Sequence, residues 1–277
     1  MDGVALRAAL AGSRFSDVRV VDSIDSTNRA LLAWAVAGHD LAGTTVADGA
    51  VLIARSQTAG RGRLGRTWIA PPDSALLMTV LVDTTAMPIE RWPMLSFAMG
   101  MAVVDRAASL GVDASLKWPN DVVVADATAP FGYRKLAGIL AESHVGDRQR
   151  FVVVGIGINL VRPAQLDPAL GPDAVPTWLA DHAPIPSRES FTAEVLAAFE
   201  RFVGTLASNP SRFVDRYRTV CSTLGRVVQA DLGGRRVVGT AADVDESGHL
   251  IIEVTSAAGV ERHVLSAGDV VHLRPAG

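Results

Sequence analysis

The chain has 277 residues, of which 49% are hydrophobic and 20% are charged, so it can bury one large core and a smaller one. Its formal net charge of -3 gives no overall attraction to DNA or to an anionic membrane, and its single cysteine excludes an intrachain disulfide. The sequence contains no signal-peptide pattern and no apolar stretch of membrane-spanning length. We therefore expect a cytoplasmic protein that binds neither DNA nor membranes.

The first strong pattern along the chain is that of a helix. Ser26 is suited to an N-cap, apolar residues recur along ALLAWAVA, and Gly38 ends the pattern. Two apolar runs, over 50–57 and 74–82, indicate buried strands, and the run SQTAGRGRLGRTW between them is predicted to be a loop. A long, largely apolar helix is expected over 92–110.

The middle of the chain is predicted to complete a sheet. ASLKWPNDVVV, KLAGILAESH and FVVVGIGINL are three strand-like segments that we expect side by side in one antiparallel arrangement. The proline content of 162–176 predicts a long loop, and apolar stripes then predict helices over 187–208 and 211–220.

The sequence pattern changes after Cys221. Short strand-like segments follow at close spacing, with glycine-containing turns, and this is typical of a small barrel of SH3-like size. We therefore predict a larger domain over 1–221 and an SH3-like domain over 222–277.

The arginine-rich loop suggests a bound anion. GRGRLG, over 60–65, has the G-x-G-x-x-G spacing of dinucleotide-binding units, but a strand follows it here, where such a unit needs a helix. The glycines let the backbone wrap a ligand, while Arg61, Arg63 and Arg66 supply forked donors for phosphate or carboxylate oxygens. We interpret 60–66 as a lid that becomes ordered when a ligand binds.

Lysine is rare in this chain. Only Lys117 and Lys135 occur among 26 basic residues, and the point charge of an ammonium is not replaced by a flat guanidinium. Both lysines are therefore candidates for stabilising charge in a phosphoryl or nucleotidyl transfer. Asp121, close to Lys117, could hold a Mg²⁺ ion or a ribose hydroxyl.

Neutral residues complete the candidate site. Gly155 and Gly157 in GIGIN let a ligand approach the backbone of a strand, and the amide of Asn159 could read an adenine edge. Ser26, Thr27 and Gln57 offer donors and acceptors for a polar, uncharged head group.

Five motifs occur in a fixed order, DSTN, QTAGRGRLGRTW, KWPND, KLAGIL and GIGIN, and with the C-terminal barrel they resemble the bacterial biotin–protein ligases. The resemblance runs from about residue 20 onward. It implies an α+β fold, with the mixed sheet flanked by helices of the class II synthetase-like biotin/lipoate ligases, plus a small C-terminal SH3-like β-barrel. It also implies a reaction in which ATP and biotin give biotinyl-5'-AMP and pyrophosphate. A lysine of a biotin carboxyl carrier protein then takes the biotinyl group and releases AMP.

The resemblance assigns roles to particular residues, with 1–221 as the catalytic domain that binds biotin and ATP. The biotin pocket would contain Ser26, Thr27, Asn28, Gln57, Gly60, Arg61, Gly62, Arg63, Lys135, Gly138, Gly155 and Gly157. ATP and the adenylate would contact Arg63, Arg66, Trp68, Lys117, Asn120, Asp121 and Asn159. The implied catalytic residues are Lys135, Arg63, Lys117 and Asp121, with Asp121 also the candidate Mg²⁺ ligand.

Two features depart from the family pattern. Only 25 residues precede Ser26, fewer than the roughly 60 of a winged helix-turn-helix domain, so we expect no DNA-binding repressor. The connection over 124–134 is longer than usual between the Asp121 and Lys135 strands, and we interpret it as a surface hairpin. The expected partner is the carrier protein or domain of an acyl-CoA carboxylase, and the protein itself is expected to be a monomer or a homodimer.

Two alternatives remain open from the sequence. A lipoate–protein ligase or a lipoyl/octanoyl transferase shares the catalytic fold, although GRGRLGR and the terminal barrel favour biotin. A noncatalytic nucleic-acid-binding module could use the basic loop together with Trp68, and it would bind oligonucleotides with a steep salt dependence.

Overall fold

The structure is a computed structural model that describes residues 1–147, 149–165, 175–232, 235–257, 259–266, 268 and 270–272. Its helices within these ranges are α1 (Gly3–Ala9), α2 (Thr27–Ala37), α3 (Met94–Ser109), α4 (Arg188–Ser208) and α5 (Pro210–Val220). The last four were predicted from the sequence and are confirmed. The predicted loop over 162–176 lies mostly outside the described residues.

The larger sheet has seven strands in the described part of the chain. They are β1 (Val18–Ile24), β2 (Val51–Gln57), β3 (Ala75–Asp83), β4 (Ala114–Lys117), β5 (Asp121–Ala125), β6 (Tyr133–Val145) and β7 (Arg150–Asn159). Their order is β1-β2-β3-β7-β6-β5-β4. The β1–β2 pair is parallel and the other pairs are antiparallel, so the predicted mixed sheet is confirmed.

Two details of the predicted sheet were wrong or missing. ASLKWPNDVVV is not one strand but the hairpin β4–β5, which places Lys117 opposite Asp121 and turns at Trp118, Pro119 and Asn120. The strand β1 and the short helix α1 were not predicted. The side chains of β1 are mostly half-buried or exposed, because it is an edge strand, and its sequence VRVVDSI therefore lacks a strong apolar pattern.

Helix α2 forms where the sequence predicted it. The hydroxyl of Ser26 accepts a hydrogen bond from the backbone N–H of Arg29 at 3.5 Å, and Gly38 ends the helix in the left-handed conformation with φ of 79°. The first turn of α2 thereby holds Thr27 and Asn28 against the sheet, where both are buried.

The two faces of β7 show how the sheet creates a site. Val152, Val154, Ile156 and Ile158 point into the main core, which helices α3 and α4 share. On the other face Phe151 and Val153 pack beneath α2, but further along that face the chain places Gly155, Gly157 and Asn159. Because two glycines interrupt the apolar layer, that face opens into a cavity at the end of the strand.

The C-terminal residues form a separate antiparallel sheet. Its described strands are β8 (Val227–Leu232), β9 (Arg235–Val244), β10 (Leu250–Ser256), β11 (Gly259–Leu265) and β12 (Val270–His272), in the order β11-β10-β9-β8-β12. This agrees with the predicted α+β fold with a small SH3-like unit. Buried Trp118 connects the sheets, since its Nε1 donates to the carbonyl of Gly248 at 3.0 Å and its backbone N–H donates to Thr223.

Among the described residues, no helix is both long and apolar enough to cross a membrane.

Candidate functional site

A cavity of about 660 Å³ opens at the ends of β6 and β7, a size typical of small-molecule sites. It brings together every residue predicted for the site except Gly60. Those that line it are Ser26, Thr27, Asn28, Gln57, Arg61, Gly62, Arg63, Arg66, Trp68, Lys117, Asn120, Asp121, Lys135, Gly138, Gly155, Gly157 and Asn159. Residues from widely separated motifs therefore surround one space.

The cavity wall formed by the start of α2 and the end of β2 is polar but uncharged, and Thr79 of β3 is buried behind it. We call Thr27, Asn28, Gln57 and Thr79 the floor network. The backbone N–H and the hydroxyl of Thr27 lie 2.7 and 3.0 Å from Gln57 Oε1. The hydroxyl of Thr79 lies 2.8 Å from that of Thr27 and 2.7 Å from Asn28 Oδ1. These mutual bonds fix the orientation of groups that can hydrogen-bond a neutral ligand.

Sequence reasoning missed Thr79. It lies in the middle of β3, is fully buried, and faces the cavity side between Met78 and Val80, which face the core. It is the one hydroxyl-bearing residue in the apolar run ALLMTVLV. A lone hydroxyl in a buried strand needs a hydrogen-bond partner, and this could have identified Thr79 from the sequence.

The glycines of the site make room for neighbouring side chains, and the space above Gly155 and Gly157, which the sequence predicted to admit a ligand, is filled by side chains of the protein. A Cβ atom on Gly155 would lie 1.8 Å from Asn28 Oδ1, so only glycine leaves Asn28 its place in the floor network. Gly138 and Gly157 are paired across β6 and β7, and Cβ atoms there would lie 2.8 and 2.3 Å from the indole of Trp68. The indole of Trp68 therefore packs directly against a glycine pair on the sheet.

A β-bulge directs Lys135 into the cavity. The register between β5 and β6 shifts between Val122 and Val123, which leaves Leu136 as the extra residue. On a regular strand Lys135 and Gly138 would face opposite sides, because side chains alternate. Here Lys135 Nζ comes within 3.1 Å of where a Cβ on Gly138 would be, while Leu136 is buried in the core.

Cations line the part of the cavity formed by residue 63, the end of β4 and the start of β6. We call Arg63, Lys117 and Lys135 the cationic rim. Lys135 Nζ lies 2.7 Å from Asp121 Oδ1 and 5.6 Å from the ring centroid of Trp68. Arg63 Nη1 donates to Asn120 Oδ1 at 3.2 Å and to the carbonyl of Gly268 at 3.4 Å. The rim therefore includes a contact with the C-terminal sheet, from which Val270 and Val271 also line the cavity.

Two predicted amides are held by backbone carbonyls. Asn120 Nδ2 donates to the carbonyl of Ile139 at 2.7 Å, and Asn159 Nδ2 donates to that of Lys135 at 3.3 Å. Both side chains are thereby fixed at the edge of the cavity on the β5–β6–β7 side. Their roles toward adenine stay predictions.

Residues 60–66, which we call the arginine loop, form a tight hairpin. The backbone N–H of Trp68 donates to the carbonyl of Gly60, and that of Gly62 donates to the carbonyl of Arg66. Only glycine fits at position 60 beside the backbone of Trp68, because a Cβ atom there would lie 2.3 Å from the Trp68 carbonyl oxygen. Arg61 forms an ion pair with Glu142 on β6, with 2.8 Å between Arg61 Nη1 and Glu142 Oε1. Glu142 was not predicted from the sequence.

The connection between β5 and β6 is a hairpin, as expected, but it also contributes to the cavity through Phe131 and Tyr133. The ring of Tyr133 meets His272 of β12 edge-on, with centroids 5.3 Å apart, and Lys117 Nζ lies 5.9 Å from the Tyr133 ring. Burial and the nearby charges of Lys117 and Arg226 lower the pKa of His272 to about 3. His272 is therefore neutral wherever the protein is folded near neutral pH.

No group of three or more His, Cys, Asp or Glu side chains among the described residues is placed to share a metal ion. Asp121 is the only acidic side chain described on the cavity wall. Magnesium is commonly held by one or two carboxylates together with substrate phosphates. Asp121 fits that mode, in which the ion would come with a nucleotide, and its role as a metal ligand stays a prediction.

Two protein-family models match the chain. The Biotin/lipoate A/B protein ligase family matches residues 20–159, about half of the chain, and the Biotin protein ligase C terminal domain matches residues 223–273. A biotin–[acetyl-CoA-carboxylase] ligase from Mycobacterium tuberculosis is 40% identical, covering 99% of this chain and 96% of its own. One from Paracoccus denitrificans is 31% identical, covering 79% of this chain and 88% of its own.

Solved structures show the same fold. A biotin protein ligase from Aquifex aeolicus in complex with biotin and ATP superposes with a TM-score of 0.73 at 22% identity, covering 94% of this chain and 100% of its own. At that identity the likeness shows the arrangement of helices and strands and does not extend to individual site residues.

Proposed function

The chain belongs to the biotin/lipoate A/B protein ligase family, and we propose that it is an ATP-dependent biotin–protein ligase. The Mycobacterium tuberculosis relative, similar over nearly all of both chains, is named for biotin and acetyl-CoA carboxylase. This supports biotin over lipoate or octanoate as the acid that is activated. The acceptor is then a lysine of a biotin carboxyl carrier protein or domain of an acyl-CoA carboxylase.

The observation that carries the proposal is the division of one cavity into a neutral floor and a cationic rim. Biotin is an uncharged cyclic urea joined by an apolar chain to a carboxylate, so its two ends need different surroundings. The floor network suits the urea, and the apolar side chains of Leu77 and Ile139 on the cavity wall suit the apolar part. Both lysines of the chain line the same cavity, where their charges suit carboxylate and phosphate oxygens.

In the first step a carboxylate oxygen of biotin attacks the α-phosphorus of ATP. A carbon–oxygen–phosphorus linkage forms, the bond to the β-phosphate oxygen breaks, and pyrophosphate leaves with its electron pair. Negative charge grows on the phosphoryl oxygens in this step, and fixed cations stabilise it. Lys135, held in place by Asp121, and Arg63, held by Asn120, supply such charges.

In the second step the amine of the carrier lysine attacks the acyl carbon of biotinyl-5'-AMP. An amide bond forms, the bond between the acyl carbon and the phosphate oxygen breaks, AMP leaves, and the amine gives up a proton. Lys135 again lies beside the reacting centre, where its charge stabilises the tetrahedral oxyanion and the departing phosphate. Asp121 would hold a bound Mg²⁺ ion, which would supply charge neutralisation on the phosphates.

Exchange of labelled pyrophosphate into ATP tests the first step without the carrier. We expect exchange by the purified protein with biotin and none with lipoate, octanoate or no added acid. Exchange with lipoate or octanoate instead would transfer the assignment to the sister enzymes. If no acid supports exchange and the protein binds oligonucleotides with a steep salt dependence, the basic loop is a nucleic-acid-binding arm.

A further inference from the structure

Glu142 connects two parts of the cavity that are far apart in sequence. It lies on β6, and both of its carboxylate oxygens accept from Arg61 Nη1 of the arginine loop, at 2.8 and 3.0 Å. The same carboxylate accepts from Asn28 Nδ2 of the floor network at 3.0 Å. One carboxylate thus serves a cation on the loop and an amide on the floor.

The hydrogen bonds continue through the floor network. Asn28 Oδ1 accepts from Thr79, the Thr79 and Thr27 hydroxyls are in contact, and Thr27 is bonded to Gln57. Gln57 ends β2, just before the arginine loop begins. The bonds therefore start from the strand before the loop, cross the floor, and return to the loop at Arg61.

The two charged side chains of the ion pair differ in their exposure to solvent. The side chain of Glu142 is 21% exposed, whereas that of Arg61 is 47% exposed. If the loop moved away, Arg61 would gain water, but the partly buried carboxylate would keep only the neutral amide of Asn28 as a protein partner. A partly buried charge that loses its counter-charge favours rearrangement of the groups that remain.

From these contacts we propose that Glu142 is a positioning residue, which couples the closed arginine loop to the orientation of the floor network. It thereby sets the affinity for biotin and leaves the chemical step to the cationic rim. Such coupling acts in both directions, so a ligand on the floor also favours the closed loop. The nature of the ligand rests on the proposed function, whereas the contact between loop and floor does not.

Proteolysis of the ligand-free protein tests the coupling. Thermolysin cleaves beside large apolar residues, and Leu64 at the tip of the arginine loop is 70% exposed, so every variant keeps this site. We expect Glu142→Gln and Arg61→Gln each to raise the cleavage rate at Leu64 about tenfold, because both release the loop without adding a cleavage site. The double variant should be cleaved no faster than either single variant, since all three lose the same contact.

Kinetics of pyrophosphate exchange give the second measurement. Glu142→Gln should raise the KM for biotin about tenfold and change kcat less than twofold, because it disturbs the floor and not the rim. The matched control is Glu253→Gln, which removes a carboxylate 2.8 Å from Arg262 on the C-terminal sheet. It should change neither cleavage at Leu64 nor the KM for biotin.

Two results would overturn the proposal. Unchanged cleavage in Glu142→Gln would make the ion pair an ordinary surface contact of little energetic weight. Independent, multiplying effects in the double variant would show that Arg61 and Glu142 act separately. A wild-type protein without biotin-dependent exchange would count against the proposed function alone, and the cleavage rates would still decide the coupling.

Discussion

The floor and the rim of the cavity are held in place by different means. The floor network consists of neutral side chains on α2, β2 and β3 that are bonded to one another, and Thr27, Asn28 and Thr79 are almost completely buried. The rim consists of partly exposed cations on the arginine loop and on strand ends. The floor belongs to the folded core, so its substitution should cost stability as well as affinity. The rim can be changed with little effect on folding.

The largest expected effect is on the rim. Lys135→Arg should lower kcat of pyrophosphate exchange by about 10²–10³-fold, because a flat guanidinium cannot take the place of a point charge at this position. The melting temperature should stay within a few degrees of the wild type. The control Arg212→Lys, an exposed exchange on α5, should be neutral in both measurements. Wild-type exchange kinetics in Lys135→Arg would contradict the role given to this lysine.

The next largest effect is on the floor. Gly155→Ala would place a Cβ atom 1.8 Å from Asn28 Oδ1, so Asn28 must leave the floor network. We expect the KM for biotin to rise at least tenfold, and the free energy of unfolding to fall by roughly 3 kcal/mol. Gly204→Ala is the control, since a Cβ there meets nothing within 4 Å on the exposed face of α4. A helical Gly→Ala exchange should instead stabilise slightly.

A smaller version of the same effect is expected from Thr79→Val. The substitution keeps the shape of the side chain but leaves Asn28 Oδ1 without its donor and leaves the Thr27 hydroxyl with Gln57 as its remaining partner, at a cost of roughly 1–3 kcal/mol. The KM for biotin should rise several-fold. Thr192→Val also removes a buried hydroxyl, which donates to the carbonyl of Arg188 in α4, but lies outside the cavity wall. It should lower stability without changing the KM.

The smallest effect concerns pH and His272. Its pKa in the folded chain is lowered to about 3, below the ordinary value near 6.5, so the unfolded chain binds more protons between these values. Stability should therefore fall by about 2 kcal/mol as the pH drops from 6.5 to 4.5. His272→Gln should reduce this slope in thermal unfolding, whereas the exposed His39→Gln should not. Equal slopes in all three proteins would contradict the prediction.

The structure agrees with the sequence wherever the signal was local. The N-cap at Ser26, the stop at Gly38 and the apolar strands before and after the arginine loop follow from short patterns. The edge strand β1 was missed, and ASLKWPNDVVV was treated as one strand-like segment although its WPND part is typical of a turn, because exposure on an edge and a two-strand hairpin both weaken the period-2 pattern. Apart from Gly60, the residues that the ordered motifs assigned to the site line one cavity, and their roles toward biotin and ATP stay predictions.

The sequence by itself determined helices α2 to α5, most of the strands, the family resemblance and the residue types that the site contains. Tertiary structure decided which of these residues are in contact. The bulge at Leu136 turns Lys135 into the cavity, and Gly155 leaves room for Asn28. Arg61 pairs with Glu142, which lies 81 positions away in the sequence. The physical reason is that side-chain periodicity is set by neighbours along the chain. Strand register and the partner of a charge, in contrast, depend on how distant segments pack against each other.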